Sequence, residues 1–118
     1  MSNRASHMRS AFAVIALLAV LFGPVLTIAQ VKSQRTVQGR VVGETEEPIA
    51  GAVVYLKDLR KLTIKSYIST ADGAYRFGQL NPDTDYELWA DHKGKKSPTK
   101  TVSSFDTKKV LDINLRLK

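Results

Sequence analysis

From residue 36 onward the apolar residues recur at every second position, and no window repeats them at the helical period of about 3.6. A period of two suits strands with one dry and one wet face, so the chain is constrained to sheets. The clearest run is VLDINLRL at 110–117, where Leu111, Ile113, Leu115 and Leu117 alternate with Asp112, Asn114 and Arg116. TVQGRVV at 36–42 sets Val37, Gly39 and Val41 on one face. AVVYLKD at 52–58 turns Ala52, Val54 and Leu56 inward and Val53, Tyr55 and Lys57 outward.

LTIKSYIST at 62–70 gives Leu62, Ile64 and Ile68 a common face. Tyr75, Phe77 and Leu80 form the inner side of a further strand, and YELWAD at 86–91 alternates Tyr86, Leu88 and Ala90 against Glu87, Trp89 and Asp91. TVSSF at 101–105 is a short, weakly patterned strand. Between the runs lie turn signals: Gly43, Pro48 and Gly51, the Asp72-Gly73 pair, and NPDTD at 81–85. HKGKKSPTK at 92–100 reads as a flexible basic loop. About seven short strands with turns every eight to twelve residues predict an all-β Greek-key sandwich.

The first 29 residues are of another kind. Arg4 and Arg9 precede the apolar run from Ala11 to Ile28, Gly23-Pro24 breaks it, and Thr27 and Ala29 are the small residues that precede a cut before Gln30. This segment is expected to be a signal helix removed on export, starting at Met1 or at Met8. Its apolar run also reaches roughly the 18 residues that suit an uncleaved anchor. Residues 30–35 are expected to be a polar tether, and 36–118 the domain. Without Arg4 and Arg9, 16 of the 18 basic residues remain against 11 acidic ones, a net charge of +5. With no cysteine, disulfides, thiolate metal sites and a Cys nucleophile are excluded, and stability must come from packing.

GRVV at 39–42, PIAGAVVYL at 48–56, STADGAYRFGQL at 69–80 and DYELWA at 85–90 together resemble the carboxypeptidase regulatory-like domain. The resemblance implies a transthyretin-like, Ig-like sandwich of the carbohydrate-binding-like kind, found also in bacterial surface modules. It implies no active site, since in carboxypeptidases this domain accompanies a separate catalytic one. Related modules that build an internal isopeptide bond need a lysine on the first strand. Here Asn114 would be the acceptor, but the first strand offers Arg40, whose guanidinium is not a workable nucleophile.

Catalytic machinery is not expected. His92, the one histidine beyond the leader, cannot assemble a multi-histidine zinc site, and with Asp91, Ser103 and Ser104 it supplies only the residue types of a triad. The three glutamates of GETEEPIAG lack the close spacing of a calcium loop. No metal and no cofactor are expected.

Trp89 with Glu87, Asp91 and Tyr55 is the candidate ligand patch: an outward indole beside carboxylates can stack on a sugar ring, and its structural alternative is packing under a loop or against Tyr55. Lys93, Lys95, Lys96 and Lys100 are the candidate patch for an anionic partner, with a solvated loop as the alternative. Nucleic acid is not expected, because no aromatic residues are interleaved with these lysines and export removes the protein from it.

The expectation is a non-catalytic, exported binding or structural module of the periplasm or cell surface that contacts an envelope glycan or protein. Membrane contact would come only through an uncleaved leader. The alternative is a small periplasmic transthyretin-like enzyme. Intact mass spectrometry is expected to return the calculated mass of the exported chain. A value lower by one ammonia would establish the crosslink and overturn the argument from Arg40.

Overall fold

The computed structural model describes residues 33–118. The leader, its cut site and the first residues of the tether lie outside the described residues. Nine strands form two sheets: β1 (Arg35–Val42), β2 (Val53–Asp58), β3 (Ile64–Ile68), β4 (Ala74–Leu80), β5 (Tyr86–His92), β6 (Lys95–Lys96), β7 (Lys100–Val102), β8 (Val110–Asp112) and β9 (Leu115–Arg116). One sheet runs β4-β1-β8, with β9 continuing along β1. The other runs β3-β2-β5-β6, with β7 also on β5.

Two elements exceed the seven strands expected from the sequence. The run VLDINLRL is broken at residues 113–114 into β8 and β9, and the basic segment after β5 folds back as the short strand β6. Arg35, assigned above to the tether, is the first residue of β1.

The core lies between the sheets and follows the alternation residue by residue. Val37 and Val41 of β1, Val54 and Leu56 of β2, Tyr75 and Phe77 of β4, and Leu88 and Ala90 of β5 are all buried, with Leu111, Leu115 and Leu117 from the C-terminal run. Leu80 joins them although its spacing from Phe77 is odd. The β1–β4 register shifts between Arg35 and Val37, and Gln79 adopts φ 56°, so a bulge adds one residue and turns Leu80 inward.

β1 is the spine of the smaller sheet. It pairs antiparallel with β4 and parallel with both β8 and β9. Thr36 N–H bonds to the Lys109 carbonyl, Ile113 N–H to Gln38 and Leu117 N–H to Val42, the even rhythm of a parallel ladder. That rhythm assigns the Arg40 N–H to the Ile113 carbonyl. Instead the Tyr75 hydroxyl donates to that carbonyl, and Arg40 N–H donates to Asn114 Oδ1 at 3.0 Å.

Gly39 makes this exchange sterically possible. A Cβ there would lie 2.7 Å from the Ile113 carbonyl carbon and closer still to its oxygen. The Ile113 carbonyl occupies the space the missing side chain leaves, within reach of the hydroxyl of Tyr75, the cross-strand partner of Gly39. Burial, helped by the nearby Asp112 carboxylate, holds the Tyr75 phenol above its ordinary pKa, so the hydroxyl stays a donor.

Arg35 is only 3% exposed, and its guanidinium collects loop carbonyls. It donates to the carbonyls of Ser103 (2.6 Å) and Thr84 (2.9 Å), and at longer range to those of Asp106 and Asn81. The loop after β4 and the loop after β7 are thereby tied to the start of β1.

Gly39→Ala is expected to destabilise the domain by about 2–3 kcal/mol, an overpacking cost against backbone that cannot yield. Tyr75→Phe, which leaves the Ile113 carbonyl without its donor, is expected to cost about 1–3 kcal/mol. Urea unfolding of the two variants checks both; wild-type stability for Gly39→Ala would show that the C-terminal run does not cross β1 this closely.

Candidate functional site

Alternation and register together decide which side chains share the outer face of the five-stranded sheet. Tyr55 of β2 lies opposite Trp89 of β5, Lys57 opposite Glu87, and Val53 opposite Asp91. On the other flank of β2, Ser66 lies opposite Tyr55, Ile64 opposite Lys57, and Ile68 opposite Val53. The four residues of the candidate ligand patch therefore do meet on one face.

Tyr55 and Trp89 stack with ring centroids 5.4 Å apart and planes at 23°. The packing alternative for Trp89 is thus realised, yet both residues keep partial exposure. One face of each ring is taken by the other. Beyond Tyr55 the small Ser66 stands between Ile64 and Ile68, which are 55% and 67% exposed.

The acids on this face are not isolated. Glu87 has Lys57 across the strand pair and Asp91 has Lys96, so the patch is charge-balanced and offers no field to an ion. Ile64 and Ile68 of β3, which the sequence pattern groups on one face, stay exposed because the register with β2 sets them beside Lys57 and Val53 on the outer face. Leu62 precedes the strand in a turn at φ 57°. There Asp58 Oδ1 accepts the Arg60 and Lys61 N–H groups, and these bonds hold the Asp58 carboxyl below its ordinary pKa.

The four lysines are divided. Lys93 and Gly94 are the two turn residues of a β5–β6 hairpin, both with positive φ (48° and 80°), the pattern of a type I′ turn. The segment is therefore a structured hairpin, because Gly94 accepts the second position and Ser97 continues the ladder, its hydroxyl accepting from Ala90 N–H at 2.8 Å. Lys96 lies opposite Asp91 on the outer face, whereas Lys95 and Lys100, opposite His92 and Leu88, take register positions on the other side of the sheet. Lys100 lines a small cleft with Arg116 and Lys118, where Arg116 is ion-paired with Glu46.

The triad residue types are kept apart. Val102 is opposite Tyr86, so Ser103 and Ser104 adjoin one end of β5 and His92 is at the other, about 20 Å away at roughly 3.3 Å per residue. Ser104 N–H donates to Asp85 at 2.6 Å, and this bond with the Arg35 charge holds the Asp85 carboxyl below its ordinary pKa. Among the described residues no three His, Asp or Glu side chains group so as to hold a metal ion.

The domain is an all-β sandwich of two open sheets whose exposed chemistry lies on its outer faces. Residues 36–118 match the carboxypeptidase regulatory-like domain, and the chain belongs to that family. A search of curated proteins returned no relative. Among solved structures the fold is similar to the major pilin subunit BcpA of Bacillus cereus, at 9% identity and TM-score 0.56, over 72% of this chain and 30% of that one. It is similar also to S.CueP (13%, TM-score 0.53, 76% of this chain and 67% of that). Catechol 1,2-dioxygenase from Pseudomonas arvilla C-1 shares it too (12%, TM-score 0.52, 77% and 54%). This chain spans under a third of the pilin subunit's length. A sandwich shared by a pilin and a dioxygenase identifies an architecture and leaves function to the site.

Lys93 occupies a position that favours Asn or Gly over a long side chain. Lys93→Asn is expected to stabilise the domain by about 0.5–1 kcal/mol through the turn alone, seen as a raised Tm. A lowered Tm would mean that the Lys93 side chain makes a stabilising contact that outweighs its backbone cost.

Proposed function

We propose that the protein is an exported, non-catalytic binding or structural module of the cell envelope that contacts a glycan or protein through the outer face of its five-stranded sheet. The observation that carries this reading is the half-exposed Tyr55–Trp89 stack beside the exposed Ile64 and Ile68. Stacked aromatics supply a rigid contact surface with little side-chain entropy left to lose. The charge balance of Glu87 and Asp91 against Lys57 and Lys96 suits a neutral sugar or an apolar protein surface better than an ion. Family membership and the pilin-like fold support a module that works by contact, and the separation of His92 from Ser103 and Ser104 weighs against the enzymatic alternative.

Trp89 is the sole tryptophan, so its emission reports on this face directly. Titration with chitohexaose, a neutral oligosaccharide, and with detergent-solubilised envelope fractions is expected to give a saturable blue shift with one of them. Tyr55→Ala is expected to abolish that shift while the domain stays folded. No shift with either probe, or an unchanged shift in Tyr55→Ala, would overturn the reading.

A further inference from the structure

We propose a second, independent binding site on the opposite face of the sandwich, for a sugar ring that carries one carboxylate. A shallow, open groove of about 670 Å³ lies over the β4-β1-β8 sheet and reaches Tyr67 of β3 at its edge. Arg40 and Gln38 from β1, Arg76 from β4, and Asp112 and Asn114 from the C-terminal run line it, and Ala74 gives it a low floor.

The register sets these groups in two rows. Arg76, Gln38 and Asp112 lie across one level, and Ala74 and Arg40 across the next, with Asn114 bonded to the Arg40 backbone. Arg40 and Arg76 are thus diagonal neighbours with Cα atoms about 7–8 Å apart, within reach of one carboxylate once the Arg76 side chain turns back from Gly78 toward Ala74. Neither guanidinium has an ion pair among the described residues, whereas Arg116 is paired with Glu46. In this structure the Arg76 guanidinium lies over Gly78, where a Cβ would stand 3.5 Å from Nη1, so a ligand bound by both arginines would draw it back along β4 toward Arg40.

The remaining groups define the ligand's other atoms. Gln38 Nε2 donates to Asp112 Oδ1 at 3.1 Å, so the carboxylate is held in place with its other oxygen available as an acceptor. Asn114 uses Oδ1 on the Arg40 N–H, which leaves its amide nitrogen as a donor. Two cations, one anion and a free amide donor suit a hydroxylated ring with a single negative charge. Asp112 would repel a phosphate or a polyanion. A peptide strand is also disfavoured, because the backbone of β1 is already paired with β4 on one side and with β8 and β9 on the other.

The test is an amide-resolved NMR titration of the purified protein with methyl galactopyranosiduronate, which carries one carboxylate, its neutral methyl ester, and inorganic phosphate. Saturable shifts are expected around residues 38–40, 74–76 and 112–114 with the uronate, and a much weaker response with the ester and with phosphate. Arg40→Gln and Arg76→Gln, both at exposed positions, are each expected to weaken binding about tenfold or more at unchanged Tm, the loss of a charge-assisted hydrogen bond. Equal response to phosphate would reduce the groove to a general anion site and overturn the proposal, as would equal response to the ester or no response. Trp89 emission reads the opposite face, so failure there leaves this result untouched.

Discussion

The hydroxyl of Tyr75, donating to the Ile113 carbonyl across the bare backbone of Gly39, decides how the smaller sheet closes. A parallel partner for β1 has to deliver a carbonyl to each even-numbered N–H of β1. By turning the Ile113 carbonyl into the core, the chain forfeits one ladder bond, and an unpaired N–H at Arg40 would be costly. Asn114 restores it with a side-chain oxygen. The C-terminal run therefore divides into two short strands while keeping a single register along β1. The same exchange exposes the Asn114 amide at the groove between Arg40 and Asp112, so a device that closes the core also shapes the outer face.

Buried polar side chains serve the rest of the frame in the same way. Arg35 collects loop carbonyls, Ser69 accepts from Ala52 N–H and donates to the Ile49 carbonyl, and Ser97 accepts from Ala90 N–H. Each gives a backbone group a partner that the sheets cannot supply. With no disulfide available, these bonds and the interdigitated core are what hold the loops. The outer faces then lie on paired strands, which place their side chains more firmly than loops would.

Period-two alternation made nearly all of the inner face legible before any coordinates. Leu88 and Ala90, Val54 and Leu56, and Leu111 and Leu115 are buried where the pattern placed them. Alternation says which face a residue takes, however, and not which strand lies beside it. Tyr55 and Trp89 were assigned to an outer face, yet their stacking depends on a β2–β5 register that no local pattern encodes. The same holds for Arg40, Arg76 and Asp112, which come from three separate strands. The hairpin at Lys93-Gly94 was concealed by a lysine where such turns favour Asn or Asp. Ile64 and Ile68 of β3 share a face as the pattern groups them, but only the register with β2 says that this face is the outer one.

The two outer faces differ in a way that bears on how so small a domain can act. One carries stacked rings and exposed aliphatic side chains in a charge-balanced setting; the other carries Arg40 and Arg76 among amides and one acid. Sheets packed face to face stand about 10 Å apart, so ligands on the two faces are separated by the whole core and do not compete for space. Occupation of both proposed sites would join two ligands through one domain. Each contact would then raise the effective concentration of the other, so individually weak sites would suffice for firm attachment. A catalytic cleft would instead require groups to converge in one enclosed space, whereas here the polar chemistry is distributed over two open faces.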